Sequence, residues 1–376
     1  MNRRRLILTN VCLAVLSVCF AACKSNGDVP LKEALKDKFL IGVAMNANQI
    51  TGKDSVGIQL IGKHFNSVVA ENCMKSEVLQ PVEGEFDFSL ADQFVKFGEQ
   101  HKMFIVGHTL IWHSQAPKWF FTDEKGQPVT REIMIDRMKK HITTVMTRYK
   151  GRVGGWDVVN EAINDDGSWR ESPFYKIIGK DYVKLAFQFA HEADPDAQLY
   201  YNDYNMAKEG KRNAVVKLVN ELKSEGIRVD AIGMQGHLMT FYPDVNDFEK
   251  SIDAFASTRA KVMITEMDMS VLPMPEKKIT ADVAYKFQYD PKINPYYKGL
   301  PDSVSEAFNN RLESFFRVFI KHSAQISRVT MWGLSDGDSW KNDWPVKGRT
   351  DYPLLFDRNH QPKPIVAKIV EMTTNP

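Results

Sequence analysis

The stretch Gly155-Trp-Asp-Val-Val-Asn-Glu161 decides the fold: it is apolar for most of its length and then stops on two polar side chains. A strand with one wet face alternates polar and apolar residues, whereas a strand covered on both faces is apolar throughout. Around this run, at 155–161, seven others read the same way: 39–44, 65–70, 103–109, 198–203, 231–237, 261–268 and 328–334. Longer stretches of helical period separate them, among them 131–149, 174–192, 211–225 and 307–322. In the first of these, Ile133, Met134, Met138, Ile142, Val145 and Met146 return at helical spacing, which predicts one apolar stripe. Eight strand–helix repeats point to an α/β fold, a (β/α)8 TIM barrel in a single domain, rather than a doubly wound sheet.

The bulk numbers agree with one large globular unit. Of 376 residues, 43% are hydrophobic and 26% charged. With 49 basic against 47 acidic residues and no basic stripe in the body of the chain, nucleic acid is a poor partner. Residues 271–306, rich in Pro, Lys and Tyr, exceed what a barrel loop needs and predict an excursion between the seventh and eighth strands.

The N-terminus reads as a targeting signal. Arg3, Arg4 and Arg5 precede an apolar run from Leu6 to Ala22, and Phe20-Ala-Ala-Cys23 has the form of a bacterial lipobox with Cys23 as the acylated residue. Each acyl methylene buried in a bilayer contributes about 0.8 kcal/mol, so several chains give stable anchoring. An ordinary cleaved signal or a short membrane anchor is the alternative. The expected organisation is signal 1–22, tether 23–37 and catalytic barrel 38–376, a monomer held at a bacterial envelope membrane by its lipid alone. Cys12 and Cys19 fall in the signal, so Cys73 is the one thiol left and the mature domain forms no internal disulfide.

Polar chemistry collects where the runs end. In chain order these positions hold Glu71, Asn72 and Lys75; His108, Trp112 and Gln115; Asn160 and Glu161; Asn202, Asp203 and Tyr204; Gln235 and His237; Glu266 and Asp268; and Trp332. A barrel brings such positions to one rim, where the active sites of this architecture lie. Glu161 and Glu266 each follow an apolar strand directly, where an unpaired charge is expensive. Two carboxylates about 5–5.5 Å apart permit double displacement at a glycosidic bond. An ionised Glu266 is expected to raise the pKa of Glu161 and keep it protonated as the acid. His237 is placed to hydrogen-bond Glu266, and Asp268 to fix the tautomer of His237. Trp112, Trp332 and Trp340 offer flat faces to sugar rings in a polar groove. The bland readings are salt bridges for the carboxylates, a core position for His237 and ordinary packing for the tryptophans.

These residues together resemble glycoside hydrolase family 10, best known for endo-β-1,4-xylanases. The matching stretches are Phe65-Asn-Ser-Val-Val-Ala-Glu-Asn-Cys-Met-Lys75, Gly107-His-Thr-Leu-Ile-Trp-His-Ser-Gln-Ala-Pro117, Trp156-Asp-Val-Val-Asn-Glu-Ala162 and Tyr201-Asn-Asp-Tyr204. Others are Ile232-Gly-Met-Gln-Gly-His237, Ile264-Thr-Glu-Met-Asp268 and Met331-Trp-Gly-Leu-Ser-Asp336 with Ser339-Trp340. The resemblance implies a retaining endo-β-1,4-xylanase acting on xylan and xylo-oligosaccharides, with no cofactor and no metal. It implies Glu161 as acid/base, Asn160 on the 2-hydroxyl of the reacting sugar, and Glu266 as nucleophile. Glu71, Asn72 and Lys75 would bind the next sugar, with Tyr204 also at the substrate. His108, Trp112, Gln115, Gln235, His237, Trp332 and Trp340 would wall the reacting subsite. Ser76 departs from the family, where Trp commonly follows the Met-Lys pair.

Three other readings compete. One is a retaining glycanase acting on β-1,4-glucan or mixed linkages, and another a glycan-binding lipoprotein on a dead barrel. The third, a metal-dependent hydrolase, fits poorly. His108 and His113 do not have a usual ligand spacing, and Asp336-Gly-Asp338 is too short for a calcium loop.

Overall fold

The computed structural model describes residues 29–275 and 280–374. The expected signal and Cys23 lie outside the described residues. Its strands are β1 (Leu40–Met45), β2 (Ser67–Ala70), β3 (Phe104–Trp112), β4 (Gly155–Asn160), β5 (Gln198–Asp203), β6 (Ala231–Met234), β7 (His237–Met239), β8 (Lys261–Ser270) and β9 (Ile326–Met331). All pair in parallel, and the ring closes where β6 meets β8 and β9 meets β1. Among the described strands the short β7 pairs only with the end of β8, so eight staves form the barrel.

The helices are α1 (Leu31–Ala34), α2 (Ala47–Ile50), α3 (Ser55–His64), α4 (Ser76–Leu79), α5 (Ser89–Gln100), α6 (Arg131–Arg148), α7 (Pro173–Ile178), α8 (Asp181–Ala193), α9 (Glu209–Ser224), α10 (Val245–Ala256), α11 (Asp302–Lys321) and α12 (Pro364–Thr374), of which α3, α5, α6 and α8 to α12 follow the eight staves in turn. The staves are buried almost without interruption, which is why their sequences read as continuous apolar runs. Close packing dictates small residues between layers. A Cβ on Gly107 would lie 2.0 Å from the Trp156 ring, and Trp156 itself is fully buried. The barrel interior is filled by Ala44, Val69, Val106, Tyr200, Ala231, Met263 and Trp332, with the Arg328 guanidinium between the rings of Phe104 and Tyr200.

Several boundaries differ from the sequence reading, each for a local reason. The stretch 231–237 is two strands, because Gly236 adopts a left-handed φ of 79° between β6 and β7. The stretch 174–192 is likewise two helices, α7 (Pro173–Ile178) and α8, parted by Gly179 at φ 85°. In α6 the stripe holds except for Ile133, which is exposed, while His141 takes a core position. The expected tether is folded from residue 30 on. Leu31 of α1 (Leu31–Ala34) and the following Leu35 are fully buried, and α1 packs against α12. A pair of leucines four apart is enough to seat one helical turn across the barrel's foot.

Candidate active site

Glu161 follows the last residue of β4 with φ 61°, a left-handed conformation that costs a non-glycine residue ~1–3 kcal/mol. Two backbone contacts hold it there. Its N–H donates to the Asn202 carbonyl at 2.9 Å, and Arg170 Nε donates to its carbonyl at 2.9 Å. The carboxylate accepts from Trp112 Nε1 on Oε2 at 2.9 Å and from Gln235 Nε2 on Oε1 at 3.0 Å. Glu266 lies within β8, its N–H on the Gln235 carbonyl at 2.7 Å. Its Oε1 accepts from Asn202 Nδ2 at 2.7 Å, and its Oε2 lies 3.3 Å from His237 Nε2.

The two carboxylates face one cleft of about 500 Å³ at the C-terminal rim of the barrel. Asn160 Oδ1 links their partners, accepting from Asn202 at 3.0 Å and Gln235 at 3.3 Å. Opposite electrostatic environments separate them. Burial raises Glu161 to about 7, reinforced by the negative field of Asp203 and only partly offset by the Gln235 and Trp112 hydrogen bonds. Glu266 is equally buried, yet the His237 hydrogen bond, the fields of His108 and His237 and the Asn202 amide hold it below its ordinary value. One carboxyl therefore keeps its proton near neutrality while the other is ionised. The source of the first shift corrects the sequence reading: burial and Asp203, not Glu266, stand foremost.

His237 is fixed from behind. Its Nδ1 lies 3.0 Å from Asp268 Oδ2, which also accepts from Trp340 Nε1 at 2.7 Å. Burial would lower the His237 pKa, but Asp268 and Glu266 together raise it. Asp268 is fully buried and supports the site without facing the cleft.

A second group lines the same cleft beside the glutamates. Lys75 Nζ donates to Asn72 Oδ1 at 2.9 Å and Gln115 Oε1 at 2.7 Å, with the Trp112 ring 5.1 Å away. Gln115 thus stands with Glu71, Asn72 and Lys75 rather than with the walls of the glutamate pair. His108 is locked to Asp157 at 2.9 Å and packs edge-on to Trp332. Ser76, at the departure from the family pattern, turns its hydroxyl to the Gln115 carbonyl at 3.5 Å.

Of the expected substrate-binding residues, Tyr204 is the one placed elsewhere: its hydroxyl accepts from Arg170 at 2.8 Å and its ring covers Lys211 at 4.0 Å, away from the cleft. Five residues escaped the sequence reading as cleft walls: Ala281, Val283, Lys286, Asp343 and Trp344. The first three belong to the long excursion. It docks through Trp344 Nε1 on the Asp282 carbonyl at 3.1 Å and Phe287 N–H on the Pro345 carbonyl at 2.9 Å. The doublet of Trp340 and Trp344, four apart, was the available signal.

A (β/α)8 barrel presenting a protonated and an ionised carboxyl to one aromatic-walled cleft defines a glycoside hydrolase. The sequence profile of Glycosyl hydrolase family 10 matches residues 30–372, and the chain belongs to that family. It is 52% identical over 365 residues to an endo-1,4-beta-xylanase A of Xylanibacter ruminicola, covering 97% of this chain and 99% of the relative. A beta-1,4-xylanase of Dictyoglomus thermophilum is 37% identical, covering 98% of this chain and 99% of that protein. Among solved structures, a GH10 endoxylanase from a sugarcane soil metagenome superposes with a TM-score of 0.87 at 44% identity, covering 92% of this chain and 99% of that one.

Proposed function

We propose that this chain is a retaining endo-β-1,4-xylanase that cleaves internal bonds of xylan and xylo-oligosaccharides, with Glu161 as acid/base and Glu266 as nucleophile. The observation that carries the reading is the divergence of two equally buried glutamates over one cleft, Glu161 raised to about 7 and Glu266 lowered. In the first step the Glu266 carboxylate bonds to the anomeric carbon while Glu161 gives its proton to the departing oxygen. In the second, Glu161 takes a proton from water, the hydroxide adds at the same carbon, and Glu266 leaves as carboxylate. Two inversions leave the configuration unchanged.

The surroundings suit a sugar polymer. Trp332 and Trp340 supply flat walls, and Glu71, Asn72, Lys75 and Gln115 offer hydrogen-bonding groups to the hydroxyls of the neighbouring residue. Initial rates on xylan and carboxymethyl-cellulose test the substrate. Xylan is expected to be strongly preferred, and equal or faster cellulose cleavage would overturn the assignment.

We also propose that the protein is exported and tethered to an envelope membrane through Cys23, on the strength of the basic start, the apolar run and the Ala-Ala-Cys ending. Cys23→Ser is expected to abolish the incorporation of labelled palmitate into the protein. A variant that still takes up the label would contradict the anchor.

A further inference from the structure

Beneath the aromatic wall of the cleft lies a cation that the reaction described above does not use. Lys341 is 3% exposed. Its Nζ sits 4.4 Å from the Trp340 ring centre, 4.6 Å from that of Trp344 and 3.7 Å from Asp268 Oδ1. That oxygen is buried and accepts no hydrogen bond among the described residues. The other, Oδ2, takes both His237 and Trp340. A buried carboxylate with one oxygen fully used and the other without a donor depends on a nearby cation to stay charged.

We infer that Lys341 is a positioning residue for the reaction: it keeps Asp268 ionised, so that Asp268 keeps the Nδ1–H of His237 and His237 keeps an N–H on Glu266. The chain Lys341–Asp268–His237–Glu266 alternates in sign along its length and ends on the nucleophile. It runs from a residue behind the cleft wall to the one that attacks the substrate. This inference rests on Glu266 being the nucleophile.

Other charges face the same pocket. Arg349 and Asp351 come from the segment after Trp344, and both are buried. Asp351 accepts from Ser270 Oγ and from the N–H groups of Val271 and Tyr352. It thus has partners of its own, and Arg349 turns its Nη2 to the Pro273 carbonyl at 3.1 Å, while Lys341 faces the bare oxygen of Asp268 at 3.7 Å. The pKa of Lys341 is lowered by burial and propped up by Asp268 and Asp351. Asp268 in turn stays below its ordinary value against the effect of burial, with His237 and Lys341 as the cations responsible.

The sign of the effect separates this role from that of a bystander. Lys341 repels the His237 cation directly, so deleting a mere bystander would favour charged His237 and move the acidic limb of kcat/KM down or leave it in place. If Lys341 acts through Asp268, its loss lets Asp268 take a proton at higher pH. His237 then loses its counter-ion, Glu266 loses a cationic neighbour, and the acidic limb moves up.

The test is the pH profile of kcat/KM on an aryl xylobioside for Lys341→Met, Lys341→Arg, Asp268→Asn and the double variant Lys341→Met/Asp268→Asn. The expected result for Lys341→Met is an acidic limb about one pH unit higher and kcat lower by on the order of tenfold. Lys341→Arg restores the limb. In the double variant the limb matches that of Asp268→Asn alone, because the Lys341 effect has nothing left to act on. The double variant also removes both buried charges together and so folds where Lys341→Met does not. A limb that stays or falls in Lys341→Met, or a double variant in which loss of Lys341 moves the limb beyond Asp268→Asn, would overturn the inference. Failure of the underlying assignment shows separately, as a Glu266→Gln variant that still turns over with the acidic limb of the wild-type enzyme.

Discussion

Replacing Glu161 by alanine separates the two jobs given to one carboxyl. Burial raises that carboxyl to about 7, so about nine-tenths of it carries a proton at pH 6 and about one-tenth at pH 8. Xylan has a poor leaving group and depends on that proton. Its loss is expected to slow xylan cleavage by about 100- to 10,000-fold, the usual reach of general acid catalysis. A dinitrophenyl xylobioside departs without protonation, so its first bond-breaking should continue at nearly the wild-type rate. The second step still needs a base to activate water, and the glycosyl-enzyme should accumulate. Stopped-flow absorbance then shows a burst of one dinitrophenolate per enzyme followed by slow turnover, and added azide, which needs no base, quickens it. The alkaline limb near pH 7 should disappear from the burst rate. Equal losses on xylan and the activated substrate, or an alkaline limb that persists in the variant, would refute the assignment of Glu161.

Two further outcomes follow from the same electrostatics. Glu161 is raised from 4.5 to about 7 in the fold, so between those values the unfolded chain ionises while the folded one does not, and stability drains away as pH rises. The loss is complete above 7, at about 3 kcal/mol. Glu161→Gln should therefore raise Tm more at pH 8 than at pH 5, and an equal change at both would contradict the buried, proton-bearing state. Asp203 lies 2.8 Å from Lys211, both fully buried, and its field raises Glu161. Asp203→Asn, which leaves Lys211 its second contact to Asp165 Oδ1 at 3.3 Å, should move the alkaline limb of kcat/KM to lower pH, and a limb that does not move would remove Asp203 from the account.

The staves were legible because burial on both faces leaves no room for polar alternation. The run 198–203 matches β5 residue for residue, and 155–161 misses β4 only by including Glu161. That extra residue is itself informative, since a glutamate at φ 61° leaves the strand geometry just where it enters the cleft. Breaks within elements were harder. Gly236 and Gly179 each sit inside a stretch whose hydrophobic period continues on both sides, and period alone does not report a reversed φ. The rim residues were readable because strand ends in a barrel converge by topology. Asp203 as the charge that tunes Glu161, and Lys341 under the tryptophans, were not. Their effects depend on distances across the barrel and on burial, neither of which a linear pattern carries. Tyr204 followed the same rim logic and still turned aside, because Arg170 captures its hydroxyl.

The most direct measurement is the identity of the residue that becomes covalently bound to sugar. Incubating the enzyme with a 2-deoxy-2-fluoro-xylobioside bearing an activated leaving group slows the second step more than the first, and peptide mass spectrometry then locates the adduct. The account predicts one fluoroxylobiosyl ester per chain, on Glu266, released on transfer to an added xylobioside acceptor. An ester on Glu161 or elsewhere, or steady turnover with no adduct, would contradict it.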